Sequence, residues 1–133
     1  MKVAILFQKV DEKSAVDDLD VLTQKYEISK ALGSLGIQTI ELPVDLNLEK
    51  IKSELLDYNP DFVFNLVESI DGCGQLLYFV PALLERLSIP YSGCSADALF
   101  ITTNKILSKE RMITAGIKTP PWCRQKPVPF PPP

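Results

Sequence analysis

Residues 61–69 read DFVFNLVES, and residues 70–75 continue as IDGCGQ. A nearly continuous apolar run that ends in a polar, glycine-bearing turn is typical of a buried parallel strand that feeds a helix. Similar runs occupy residues 2–7 and 37–42, with a shorter one at 89–91. Because helical patterns separate these runs, the sequence predicts an α/β fold with a small parallel sheet of about four strands, covered on both faces.

Five helical segments are predicted between and after the strands. They cover residues 19–32, residues 46–58 with Asp45 as the N-cap, residues 72–87, residues 96–101 with Ser95 as the N-cap, and residues 104–115 closed by Gly116. Pro81 falls inside the third segment, where proline costs about 3 kcal/mol unless the helix kinks or restarts. The polar stretch at residues 8–18 is predicted to be a loop.

Length and composition exclude several classes of protein. A chain of 133 residues with 46% hydrophobic and 23% charged residues fits one domain, and a net charge of −3 argues against a nucleic-acid surface. The sequence has no long apolar run and no signal-peptide pattern, so we expect no membrane association and a cytoplasmic location. Histidine is absent, and the three cysteines form no CxxC, so we predict neither a metal site nor a disulfide.

Two nucleotide-binding motifs are missing, and the last residues differ from the rest. No GxGxxG follows the first strand and no GxxxxGK[ST] occurs, which excludes a Rossmann dinucleotide site and a P-loop. Five of the last seven residues are proline. We therefore expect a domain over residues 1–122 and a proline-rich tail or linker over 123–133, with polyproline II character.

Four segments together resemble one family of enzymes. They are residues 61–69 (DFVFNLVES), 70–75 (IDGCGQ), 82–93 (ALLERLSIPYSG) and 102–122 (TTNKILSKERMITAGIKTPPW). In order and spacing they are similar to the D-alanine–D-alanine ligases of the ATP-grasp superfamily. The resemblance implies a three-layer, Rossmann-like pre-ATP-grasp domain, the substrate-side lobe of an enzyme that joins a carboxylate to an amine through an acylphosphate.

The same resemblance sets the expected cofactors and partners. The complete enzyme would use ATP and Mg²⁺, held mostly by central and C-terminal domains that follow Trp122 in the family. We therefore expect no catalytic residue in this chain, no turnover from it alone and no tight nucleotide binding. The expected partners are those missing ATP-grasp domains and a small amino-acid-like substrate, and a homodimer is compatible with this layout.

The resemblance also suggests individual site residues. Lys105 matches a lysine that contacts ATP phosphates, with a surface lysine as the alternative. Glu68 stands where the family's strand runs on to a histidine near the substrate, so it could hold an amine or be a solvated loop residue. Asp17 and Asp18 lie near the position of a substrate-binding glutamate, although an ungapped match places Ala15 there.

The IDGCGQ turn is a further candidate. Free amides at a helix start there could hold an anion, and the alternative is an ordinary Asp-capped turn before a helix. In the family, Asp71 and Gly72 would face the active site. Two other classes of function stay open. A receiver-like signalling module would use Asp11 and Glu12, with Glu68 in place of the required aspartate. An adaptor would offer the proline tail to an aromatic groove.

Overall fold

The computed structural model describes residues 1–10 and 16–122 and, for residues 16–18, the backbone alone. The elements are three strands, five α-helices and one short 3₁₀ turn: β1 Lys2–Gln8, α1 Val16–Ser34, β2 Gln38–Val44, α2 Leu48–Tyr58, β3 Phe62–Asn65, the 3₁₀ turn Gly74–Leu76, α3 Phe79–Leu87, α4 Ala96–Thr103 and α5 Lys105–Thr114. The predicted α/β fold with a small parallel sheet is confirmed. The proline-rich tail and the pair Asp11 and Glu12 lie outside the described residues.

The sheet has the order β2-β1-β3, and both pairings are parallel. The central position of β1 follows from its sequence, because every residue from 3 to 8 is buried. A strand buried along its whole length needs neighbours on both edges and helices on both faces. The sheet therefore forms around β1.

The core divides between the two faces of the sheet. Ala4 and Leu6 of β1 belong to a buried cluster with Ile51 of α2 and Leu84 of α3. The alternate residues of β1 point to the other face, where the Lys25 ammonium of α1 lies 5.0 Å from the centre of the Phe7 ring. The result is the expected three layers, with α1 on one side and α2 and α3 on the other.

The short fourth strand predicted at residues 89–91 is not a strand of the sheet. Only an isolated parallel bridge joins Val63 to Tyr91, through the Val63 amide on the Pro90 carbonyl and the Ser92 amide on the Val63 carbonyl. The Ser92 hydroxyl accepts the Asn65 amide at 2.9 Å, a proton that a longer ladder would have placed on a backbone carbonyl. This competition by a side chain ends the pairing after one residue.

The third strand is also shorter than the predicted 61–67. The side-chain oxygen of Asn65 accepts the Val67 amide at 3.2 Å, a local turn that leads the chain out of β3. Residues 66–69 are therefore loop rather than strand. Glu68 lies in that loop, three residues beyond the end of β3.

Two helix starts differ from the prediction, each for a local reason. α2 is capped by Asn47, whose side chain accepts the Lys50 amide, while Asp45 accepts the Asn47 amide one step earlier. α1 begins at Val16 instead of residue 19, so Asp17 and Asp18 occupy its first turn. Acidic residues at that end are favourable because they face the positive end of the helix dipole.

Pro81 divides the predicted helix over 72–87. The chain first makes the 3₁₀ turn, and α3 then restarts at Phe79 with Pro81 as its third residue. Amide hydrogens in the first turn of a helix have no carbonyl partner within that helix, so proline costs little there. The restart is one of the two outcomes that the proline allowed.

Asn104 is a one-residue joint between α4 and α5. Its backbone is extended, with φ −91° and ψ 98°, and its side-chain oxygen accepts the amides of Ile106 and Leu107. Ser95 caps α4 as predicted, by accepting the Ala98 amide at 3.3 Å. α5 buries no residue within the described part of the chain.

We expect two glycines near the end of α1 to respond oppositely to alanine. Gly36 has φ +71°, so Gly36→Ala should lose about 1–2 kcal/mol through backbone strain alone, since no atom crowds the new methyl group. Gly33→Ala is the matched control: it lies within the helix in open space and should gain about 0.5–1 kcal/mol. Urea unfolding measures both, and a loss of stability in both variants would refute the backbone explanation.

Candidate functional site

The strand order favours a ligand crevice at the carboxyl edge of the sheet. The chain moves from β1 outward to β2 on one side and then returns to β3 on the other. Open α/β sheets bind ligands outside the carboxyl ends of the strands, where such a reversal separates two neighbouring loops. Here the two loops follow β1 and β3, and the second contains Glu68.

A buried glutamine joins these two loops. Gln8 ends β1 with only 3% of its surface exposed, and its side-chain oxygen accepts the Glu68 amide at 3.2 Å. The Leu66 amide donates to the Leu6 carbonyl at 2.8 Å just before it. The backbone of Glu68 is therefore fixed over β1, whereas its side chain is exposed and can reach a ligand at the edge.

The IDGCGQ segment is a tight reversal rather than the start of a helix. Ile70 and Cys73 exchange both backbone hydrogen bonds, at 2.9 Å and 3.3 Å, and the two residues between them have positive φ, 49° at Asp71 and 70° at Gly72. This is the geometry of a type I′ turn. The Cys73 amide is used inside the turn, so the sequence-based idea of free amides for an anion does not hold at that residue.

The remaining predicted residues lie at different places. Lys105 is exposed at the first position of α5, and Asn104 already occupies the two amides that follow it. Asp17 and Asp18 are at the start of α1, the helix that follows the loop after β1, and only their backbone is described. Within the described ranges the ion pairs join Lys9–Asp45, Lys25–Glu41, Lys50–Glu54 and Lys52–Glu49, so Glu68 and Lys105 are not paired with each other.

A small cavity separates the 3₁₀ turn from the joint before α5. It has a volume of about 210 Å³ and is lined by Gln75, Leu76, Tyr78, Phe100, Thr103 and Asn104. The rings of Tyr78 and Phe100 meet edge to face at 5.2 Å in its wall. The cavity lies between the segment that follows the Asp71–Gly72 turn and the N-terminal end of α5, the helix that carries Lys105.

The sequence-based reading missed two residues that organise this edge, Gln8 and Ser92. Gln8 is the last residue of β1, and its side chain accepts the Glu68 amide in the loop after β3. Ser92 follows the bridge at Tyr91, and its hydroxyl accepts the amide of Asn65, the last residue of β3. A polar residue that directly follows a fully apolar strand is the signal that could have identified Gln8.

The Lys9 ammonium lies 3.3 Å from Asp45, and hydrogen bonds from the Asn47 amide and Lys9 lower the pKa of Asp45.

Tyr91 and Glu85 fix the start of α4 beside this edge. The Tyr91 hydroxyl donates to Glu85 Oε1 at 2.6 Å, and the same oxygen accepts the Ala96 amide at 3.0 Å. The two bonds lower the pKa of Glu85, with Tyr91 as the larger cause. Burial and the adjacent carboxylate raise the pKa of Tyr91 to about 12.

Residues 1–10 and 16–122 contain neither a metal-binding cluster nor a membrane span. No three acidic, cysteine or histidine side chains converge there to hold a metal ion. None of the helices in those ranges combines the length and the apolar character needed to cross a bilayer. Cys73 and Cys94 are both free thiols.

Comparison with known proteins gives consistent sequence matches. The chain is 34% identical over 120 residues to the D-alanine–D-alanine ligase of Moorella thermoacetica, which covers 90% of this chain and 36% of that protein. It is 31% identical over 122 residues to the D-alanine–D-alanine ligase of Aquifex aeolicus, with 92% and 38% covered. The chain is a relative of the D-alanine–D-alanine ligases. It spans little more than a third of their length.

The fold agrees with that relationship. A crystal structure of D-alanine–D-alanine ligase from Bacillus anthracis superposes with a TM-score of 0.65 over 92% of this chain and 37% of that one, at 22% identity. No family model matches the chain. Relatives of one enzyme class recur in both comparisons, so the receiver-like alternative is not favoured.

The tyrosine beside Glu85 should make folding stability sensitive to alkaline pH. Because folding raises the pKa of Tyr91 from 10.0 to about 12, its contribution is complete below pH 10 and is lost as the pH rises toward 12. Tyr91→Phe should remove this loss. Urea unfolding across that window measures the effect, with Tyr26→Phe as the control at an exposed ring. If the wild type and Tyr91→Phe lose the same stability between pH 10 and 12, ionisation of Tyr91 is not the cause of the alkaline destabilisation.

Proposed function

We propose that this chain is the N-terminal, substrate-side lobe of an ATP-dependent carboxylate–amine ligase similar to the D-alanine–D-alanine ligases. The observation that carries the proposal is the exposed Glu68, held by buried Gln8 at the crevice between β1 and β3. That crevice is where this topology binds ligands. The sequence relationship supplies the reaction class, because the relatives that match nearly all of the chain are named as ligases.

In this proposal the crevice receives the amino substrate. The Glu68 carboxylate offers an acceptor for an ammonium group, and its fixed backbone limits how far it can move away. The reversal at Asp71 and Gly72 directs the following chain and adds a second acidic side chain to the same loop. Asp17 and Asp18 lie in the first turn of α1, the helix that follows the loop after β1, and in this proposal they are further substrate contacts.

The ATP side of the proposal rests on Lys105. Its ammonium is exposed and can reach a phosphate, but the next two amides of α5 already bind Asn104. The residues therefore fit one charged contact rather than a complete phosphate site. ATP and Mg²⁺ would be held mainly by central and C-terminal ATP-grasp domains, and the ion would offset phosphate charge as the acylphosphate forms.

The wider assignments belong to the same proposal. Residues 1–122 would form the lobe, residues 123–133 would be the tail or the linker that follows, and the protein would act in the cytoplasm. A homodimer stays a prediction. The lobe's partners would be the ATP-grasp domains and a small amino-acid-like substrate.

A lobe exchange tests the function. The matching N-terminal segment of the Moorella thermoacetica relative is replaced by residues 1–122 of this chain, and ATP-dependent ligation of amino acids is measured. Activity above that of the relative without its lobe supports the proposal. A folded chimera that shows no ligation with any amino acid pair would reject it, and the unmodified relative is the positive control.

We expect the chain on its own to bind Mg-ATP only in the millimolar range or weaker, and not to hydrolyse it. A single charged contact contributes about 1.5–3 kcal/mol, whereas micromolar affinity needs about 8 kcal/mol. Isothermal titration calorimetry and a phosphate-release assay measure both properties. Micromolar binding would show that the lobe holds a nucleotide site of its own.

In an active chimera, Lys105→Ala and Glu68→Gln should separate the two sides of the site. Lys105→Ala should raise the KM for ATP, and Glu68→Gln should raise the KM for the amino substrate. Each lost contact with a charged group is worth about 1.5–3 kcal/mol, which corresponds to roughly tenfold or more. Lys52→Met is the control, because within the described residues Lys52 pairs with Glu49, its neighbour on α2, and with no other acidic side chain. Unchanged kinetics in both variants would leave the lobe as scaffold.

A further inference from the structure

The end of α5 is closed by backbone hydrogen bonds that turn the chain back along the helix. The Gly116 amide donates to the Ile113 carbonyl at 2.9 Å, and the Ile117 amide donates to the Met112 carbonyl at 2.8 Å. These two bonds form a Schellman motif. The chain leaves this motif as a segment without regular secondary structure, residues 117–122, that includes Pro120 and Pro121.

A lysine one turn earlier binds that returning segment. Lys109 Nζ donates to the Thr119 hydroxyl at 3.1 Å and to the Pro120 carbonyl at 3.2 Å. The two acceptors lie on consecutive residues, ten and eleven positions further along the chain. Lys109 therefore connects the side of the helix to the segment that leads away from it.

Pro120 and Pro121 limit the conformations of the segment that Lys109 binds. A residue before proline is restricted to extended conformations, and each proline fixes its own φ. Fixing Thr119 and Pro120 therefore fixes the position of Pro121 and narrows the directions open to Trp122. The same geometry leaves an open groove of about 640 Å³ between the helix end and the segment, lined in part by Ile113, Ile117 and Trp122.

We propose that Lys109 is a positioning residue that sets the direction in which the chain leaves α5. The contacts of Lys109 with Thr119 and Pro120 lie within this chain and do not depend on the proposed function. The purpose of the positioning rests on the proposed function, in which whatever follows Trp122 must meet the crevice at the carboxyl edge at a fixed angle. The neighbouring Lys105 does not share this role, because no contact joins it to the exit segment in the described part of the chain.

Backbone relaxation in the isolated chain tests the connection directly. We expect amide order parameters near 0.8 at Lys118, Thr119 and Trp122 in the wild type, falling below about 0.6 in Lys109→Met. Lys109→Arg should restore them, because it returns donors at a similar distance. Thr119→Val removes one acceptor and should give intermediate values. Lys52→Met is the control for loss of a surface charge.

A second readout separates positioning from folding. Trp122 is the single tryptophan of the sequence, so acrylamide quenching reports the exit segment alone. Quenching should rise in Lys109→Met, while the urea midpoint stays within error of the wild type. Unchanged order parameters and quenching in both Lys109→Met and Thr119→Val would overturn the proposal, as would equal changes in Lys52→Met.

The lobe exchange distinguishes this proposal from the proposed function. With Lys109→Met in an active chimera, kcat should fall about tenfold while the KM for ATP changes little, because a poorly directed lobe closes the site less often. Lys109→Arg should recover the rate. An ordered exit segment in an inactive chimera would reject the proposed ligase function and keep the positioning role of Lys109. A disordered exit segment in the wild-type chain would reject the positioning role, and the ligation assay alone would then decide the proposed function.

Discussion

The fold depends on the burial of one strand. Residues 3–7 of β1 are all buried, and no side of the strand can face water. Full burial of a side chain such as Val, Leu, Ile or Phe contributes about 1.5–3 kcal/mol, so β1 is a large part of the driving force for the whole domain. Its two edges are satisfied by β2 and β3 and its two faces by the helices, which leaves little freedom in the topology.

The position of the candidate site follows from the same constraint. With β1 in the centre, the chain moves to one side for β2 and returns to the other side for β3. This reversal separates the loop after β1 from the loop after β3, where the candidate site lies. The burial of β1 continues to its last residue, Gln8, which is polar. The side-chain oxygen of Gln8 accepts the Glu68 amide, so the last buried residue of β1 holds the loop after β3 in place.

The apolar runs were sufficient to predict the fold, because a buried parallel strand is visible in sequence without knowledge of its neighbours. They predicted three strands and the layers correctly. They failed at residues 89–91, since the Ser92 hydroxyl that ends the ladder acts through a contact 27 positions away. The helix cap at Asn47 was assigned to Asp45 for a related reason, because both side chains accept amides in the same turn.

The candidate site was less predictable than the fold. Resemblance to the ligases singled out Glu68 and Lys105, and the structure places Glu68 at the edge that its topology favours. Gln8 was missed because its role is to hold another residue's backbone, and only its position directly after an apolar run marks it in the sequence. The glycine turn was located correctly, but it was read as the start of a helix, although Asp71-Gly72 is a residue pair that favours the observed type I′ reversal.

The joint at Asn104 has a consequence for how this region can change in evolution. Two helices meet there with one residue between them, and that residue provides both the bend and the cap. Adding or deleting one residue in α5 would rotate everything after it by about 100° around the helix axis, because a helix turns once every 3.6 residues. Related sequences should therefore gain and lose residues in the surface turns and keep the length from Asn104 to Thr119 constant.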